Sequence, residues 1–304
     1  MKEWCGWPVV DEATGWDAAQ RILTAAELSD GLPLVPPTLR RLEAMVAGIS
    51  GRSDSHGMMP PMFGDITPES VAYQCVIAGA LPAELPVVLM AAQAILEPDF
   101  NLLGIATTTG SACVALCVHG PIARKLGVNA GTNCIGPGTR ANACIGRALQ
   151  LCLRNIGGAR SETGDMATIG QPGKYTFCFG ENEEASPWTP LHVQKGFDAK
   201  DSVVTIFYGC RSQTFCLGLR ETHWREHVRD MMTGIDALTA PCLLLDPITA
   251  RQFVERGGFD TKEKLLHWLW QNGTRRADQY WDLKLVQNYV YPRATCGEEP
   301  QATK

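Results

Sequence analysis

Apolar residues recur at helical spacing from Trp16 to Leu28, and Asp30-Gly31 ends that run. The prolines of Leu32-Pro-Leu-Val-Pro-Pro-Thr38 impose an extended backbone, and Thr38 then caps a predicted helix through Ala47. Residues 48–66 are too rich in glycine and proline to be regular. Helices are predicted over 67–79 and 84–96, the first capped by Thr67 with Pro68 at its opening position. Two β-like runs follow, LLGIATTT and ACVALCVHG, divided by Gly110-Ser111. A short helix is predicted from Gly120-Pro121 to Gly127. A glycine-rich loop from Gly131 to Gly138 then feeds a helix from Thr139 to about Ile156, with Ile145, Leu149, Cys152, Leu153 and Ile156 on one face. Further strands are predicted at 174–179, 202–208 and 241–245.

One order of elements echoes itself. A helix and a strand lead to Gly120-Pro121-Ile122, a short helix, Gly127 and a second helix. A predicted helix at 222–235 and a strand lead to Asp246-Pro247-Ile248, a helix, Gly257-Gly258 and a helix at 261–271. The pattern predicts an α/β protein of mixed sheets with flanking helices, and a duplication would make it two pseudo-repeated lobes, about 67–160 and 200–273. One compact body over 1–290 is expected, with an irregular tail at 291–304.

Charge narrows the class of function. The 304 residues carry a net charge of −5, so there is no basic field to support contacts with a nucleic-acid backbone. No apolar run reaches the ~18–20 residues of a membrane span, and the acidic N-terminal stretch lacks the basic start of a secretory signal. A cytoplasmic location is the expectation. The 12 cysteines are scattered and form no CxxC pair; Cys75, Cys113, Cys117, Cys144, Cys152 and Cys242 sit in apolar runs and read as small core hydrophobes.

Four constellations could carry chemistry. In Asp54-Ser-His56 a carboxylate stands two residues from an imidazole, which suits a general base oriented by an acid; the same residues suit a turn aspartate beside an exposed histidine. The loop carrying Asn133, Gly136 and Gly138, with Arg140 in the first turn of the next helix, could hold an anion, or Arg140 could pair with a nearby carboxylate. Glu181 and Glu183, straight after a strand, could grip an ammonium or a metal, or form a solvated turn. His223-Trp-Arg-Glu226-His227 matches the inverted zinc-peptidase pattern, and equally a charged helix face.

Three phrases, Asp30-Gly-Leu-Pro-Leu-Val-Pro-Pro-Thr38, Gly136-Pro-Gly138 through Arg147, and Tyr175 through Trp188, together with Asp54-x-His56, resemble a bacterial family. Within it the chain looks most like the large subunits of the aziridine-forming cyclases of azinomycin-type pathways. At 54–56 the wider family is more apolar. The resemblance implies an enzyme that works with a small protein subunit on an amino-acid precursor borne by an acidic amino-group carrier protein. It closes the ring by intramolecular amine attack with displacement of a sulfate ester. On that reading Asp54 and His56 are catalytic, because the amine must lose a proton before it can attack. The Arg140 loop stabilises the departing sulfate, and no metal or organic cofactor is needed. The contrasting expectations are a non-catalytic subunit that binds an anionic ligand while a partner does the chemistry, and a zinc hydrolase built on His223, Glu226 and His227.

Overall fold

The structure is a computed structural model that describes residues 2–208, 225, 226, 228 and 242–273. The fold is α/β, with helices flanking small mixed sheets. The chain forms two compact units, Met1–Glu181 with Leu191–Arg211, and Asn182–Pro190 with Ser212–Lys304. Neither follows the expected lobe limits of 67–160 and 200–273.

In the first unit, helix α1 (Trp16–Ala25) and helix α2 (Leu39–Met45) flank the extended proline segment. Thr38 caps α2, its Oγ1 accepting the Arg41 N–H at 3.4 Å. Helix α3 (Pro68–Ala78) is the spine of the core. Every residue in it except Glu69 is buried, and Thr67 and Ser70 cap its start reciprocally. Helix α4 (Leu85–Ala94) and helix α7 (Arg140–Asn155) pack on it; α7 turns its Ile145, Leu149 and Cys152 face inward, as its periodicity predicts. Between them come helix α5 (Leu102–Thr107), strand β5 (Ala115–His119) and helix α6 (Pro121–Leu126), which ends at Gly127 in the left-handed conformation (φ 68°).

The main sheet has the order β6–β5–β7. Strand β6 (Cys178–Gly180) runs parallel to β5, and strand β7 (Val203–Phe207) antiparallel to it. All five residues of β5 are buried, which accounts for its unbroken apolar run. Two small hairpins complete the unit: strands β1 (Glu3–Trp4) and β2 (Trp7–Pro8), and strands β3 (Met58–Met59) and β4 (Gly64–Asp65). The second lies within the stretch expected to be irregular and turns through a cis Pro60–Pro61 bond.

In the second unit, helix α9 (Pro247–Gly257) and helix α10 (Lys262–Asn272) pack through Phe253, Phe259, Leu265 and Leu269. Trp188 joins this core, its indole N–H donating to the Phe259 carbonyl at 2.8 Å.

Several expectations are corrected. LLGIATTT is helical, not a strand: Asn101, at φ 52°, accepts the Gly104 N–H with its side chain, and Leu102 and Ala106 bury one helical face. A short apolar run carries no periodicity long enough to separate the two states. Residues 242–245 form no strand, so the described part of the strand predicted at 241–245 is irregular. The strand predicted at 174–179 begins only at Cys178, and Cys144 is half-buried while Cys242 is exposed. Cys75, Cys113, Cys117 and Cys152 are core residues as expected. Burial pushes the thiols of Cys75 and Cys152 well above their ordinary range, so they stay protonated and unreactive. Most of predicted helix 222–235, and the 291–304 tail, lie outside the described residues. Among the described residues no single helix is long and apolar enough to cross a membrane.

Candidate functional site

The loop before the β3–β4 hairpin presents Asp54, Ser55 and His56 to solvent. Its backbone is tied down at three points. The Asp54 N–H donates to the Gly51 carbonyl at 2.9 Å and closes a turn. His56 N–H donates to Ile66 O at 2.8 Å, and Ile66 N–H returns a bond to Gly57 O at 2.9 Å. Ser55, between the two candidates, donates its hydroxyl to Asp65 at 2.5 Å. Among the described residues, neither the Asp54 carboxylate nor the His56 ring has a hydrogen-bond partner, and they do not bond each other. Among the described residues the arrangement is therefore the alternative one, a turn aspartate beside an exposed histidine, and not a pre-oriented pair. The hairpin that follows exposes Met58, Met62 and Phe63. The hairpin that carries these side chains is anchored by the Met62 N–H on the Gly157 carbonyl at 2.7 Å.

Arg140 is engaged elsewhere. Its guanidinium grips Glu84 in a two-point contact, Nη2 to Oε1 at 2.5 Å and Nη1 to Oε2 at 3.0 Å. Glu84 is only 1% exposed and also accepts the Leu81 N–H at 2.8 Å. The Glu84 hydrogen bond raises the guanidinium pKa further and outweighs partial desolvation. This is the carboxylate-pairing alternative, and it leaves the glycine loop without its cation. In that loop Asn133, at φ 59°, donates its side-chain N–H to Pro137 O at 2.7 Å and accepts the Gly136 N–H on its carbonyl at 3.0 Å. Gly138 sits at φ 126°, where only glycine is unstrained. The loop is thus held by its own polar groups.

A cavity of about 360 Å³ opens elsewhere in the first unit, lined by Asp30, Arg154, Asp165, Lys174 and Tyr175. Neither Asp54, His56 nor Arg140 lines it. Lys174 pairs with Asp165 at 2.5 Å, and Asp30 is held by Arg147 through Nε and Nη2 at 2.8 and 2.7 Å. That last pair joins two of the phrases that carry the family resemblance.

The structure also gathers residues that sequence reasoning did not group. His119 closes β5 and Glu181 directly follows β6, so both stand at the same end of a parallel strand pair. His192 comes from the short helix α8 (Leu191–Gln194). His119 Nδ1 lies 2.9 Å from Glu181 Oε2, and its Nε2 lies 2.9 Å from Thr205 Oγ1 on β7. The Leu191 N–H donates to both Glu181 oxygens, at 3.1 and 2.8 Å. The two imidazoles lie 5.7 Å apart, each residue 1% exposed, whereas the Glu181 side chain is 17% exposed. One ligand-capable atom from each of His119, Glu181 and His192 lies within 4.8 Å of the others. Glu181 was singled out by the acidic run after a predicted strand. His119 carried only the signal of ending a strand before Gly120-Pro121, and His192 carried none. Glu183 falls in the second unit, where Asn182 accepts the Ser186 N–H at 3.1 Å in a turn. His223 and His227 lie outside the described residues; Glu226 is helical and exposed. Compared with known proteins, the chain matches no family model, no curated protein and no solved structure.

Proposed function

We propose that this chain is the large subunit of an aziridine-forming cyclase whose active centre is completed by a small partner subunit. The observation that carries the reading is the exposed Asp54–His56 loop, which leads into an anchored hairpin whose Met58, Met62 and Phe63 are exposed. Two exposed ionisable groups that have no hydrogen-bond partner among the described residues, followed in the chain by exposed apolar side chains, suit a surface that a second protein covers. Covering excludes water and lowers the local dielectric, which strengthens the interaction between His56 and Asp54.

In this mechanism His56 takes the proton from the substrate ammonium, and Asp54 stabilises the imidazolium so formed. The freed amine attacks the neighbouring carbon from the side opposite the sulfate ester. The C–N bond forms as the C–O bond breaks, and sulfate leaves with the electron pair. Because Arg140 is committed to Glu84, the cation that meets the departing sulfate comes from the small subunit. The acidic amino-group carrier protein presents the precursor, and the displacement itself uses no cofactor.

The test is release of inorganic sulfate from a carrier-linked sulfated amino alcohol, with and without the small subunit. The expected result is release only by the complex, falling ~10²- to 10⁴-fold in His56→Ala with the unfolding midpoint unchanged. Full activity in His56→Ala would remove the residue from the chemistry. The non-catalytic binding reading finds its support in the mixed-charge cavity at Asp30 and Lys174. It requires Lys174→Ala to abolish ligand binding, with sulfate release belonging to the partner alone.

A further inference from the structure

We propose that His119, Glu181 and His192 bind one divalent transition-metal ion of the zinc class, a site that goes beyond the cyclase reading and does not depend on it. Ligand atoms about 2.0–2.2 Å from a common ion lie at most about 4.4 Å from one another. The three side chains already stand within 4.8 Å, so side-chain adjustment alone brings them onto one ion.

The surroundings are those of a metal site rather than of a chance meeting. Thr205 holds His119 Nε2 at 2.9 Å, which directs Nδ1 at Glu181. In the tautomer whose Nε2–H donates to Thr205, the Nδ1 lone pair is free to bind an ion that Glu181 and His192 also reach. Glu181 is oriented in turn by the Leu191 N–H, so two of the three ligands have the outer-shell partner that fixes a ligand for coordination. Two imidazoles and one carboxylate suit zinc, cobalt or nickel better than the oxygen-seeking magnesium or calcium. The partial exposure of Glu181 leaves one side open for a water ligand and for the ion to enter. The position, at the carboxyl ends of parallel strands β5 and β6, is where open α/β sheets place ligands. Bound there, the ion ties β5, the segment after β6 and α8 together.

The experiment uses the full chain, stripped with a chelator and titrated with Zn²⁺ alone. One equivalent is expected to bind, with a rise of several degrees in the unfolding midpoint. Co²⁺ in its place is expected to show visible d–d bands without thiolate charge-transfer absorption, which separates this site from the cysteines. Glu181→Gln and His192→Gln are expected to weaken zinc at least 100-fold, and Thr205→Val about 10-fold. Glu181→Gln is near-isosteric, so circular dichroism on it shows that the loss is not a folding defect. The proposal is overturned if the wild-type chain binds no zinc, if Glu181→Gln and His192→Gln bind it as tightly as wild type, or if cobalt reports thiolate ligands.

Discussion

Arg140→Met separates an anion clamp from a structural counter-ion. The methionine keeps most of the apolar stem and removes the guanidinium, leaving the Glu84 carboxylate with one hydrogen bond, from Leu81 N–H at 2.8 Å. Breaking a buried ion pair costs roughly 3–5 kcal/mol when both partners are dry. Here Glu84 is 1% exposed but the Arg140 side chain is 45% exposed, so water screens the pair and partly replaces the guanidinium. The expected loss is therefore about 2 kcal/mol, or roughly 4–8 °C at the midpoint for a unit of this size. Thermal unfolding followed by circular dichroism measures it. The decisive comparison is Arg140→Met/Glu84→Gln: removing the charge as well should restore more than half of the loss, because the cost lies in an uncompensated buried carboxylate. An unchanged midpoint in Arg140→Met, or a double variant as unstable as the single one, would refute the assignment. If sulfate handling fell while stability held, Arg140 would be the clamp after all.

Three further outcomes are expected. Gly120 sits at φ 76° and ψ −163°, and an added Cβ would run into the Asp201 carbonyl; Gly120→Ala should cost about 2 kcal/mol or more in chemical denaturation, and an unchanged midpoint would disprove the constraint. Partial burial pushes the Asp246 carboxyl up, but hydrogen bonds from Thr249 and Ile248 outweigh it and hold the pKa below its ordinary value. That stabilisation is present above the unfolded aspartate pKa of about 3.9 and is lost as pH falls through the lower folded value. Asp246→Ala should accordingly destabilise the second unit by about 1 kcal/mol at pH 7 and by less in acid, as read by pH-dependent unfolding. Finally, a chain of net charge −5 gains no long-range attraction to an acidic carrier; the complex with the small subunit should bind carrier-linked substrate more tightly than this chain alone, and equal affinity in a binding titration would assign the partner another role.

What the sequence determined by itself is local. Thr67-Pro68 opens α3, Gly120-Pro121 and Gly127 bracket α6, and Asp246-Pro247 and Gly258 bracket α9, as their spacing predicts. Caps and left-handed stops act within one turn of backbone, so the residues that make them are neighbours in the chain. The α5 segment escaped because six residues are too few for helical periodicity to outweigh β-prone composition. The Asp54–His56 loop and the apolar residues that follow it were legible, but whether the carboxylate and the imidazole meet was not. The pairings that assign roles were decided only by packing. Glu84 finds Arg140 across 56 residues, Asp30 finds Arg147 across 117, and His119 meets Glu181 across 62. In each, burial makes an uncompensated polar group costly, and the folded chain meets that cost with whichever group the neighbouring helix or strand brings within reach. Spacing along the chain holds no record of that reach, because it is set by how α3, α4, α7 and the β5 sheet stack.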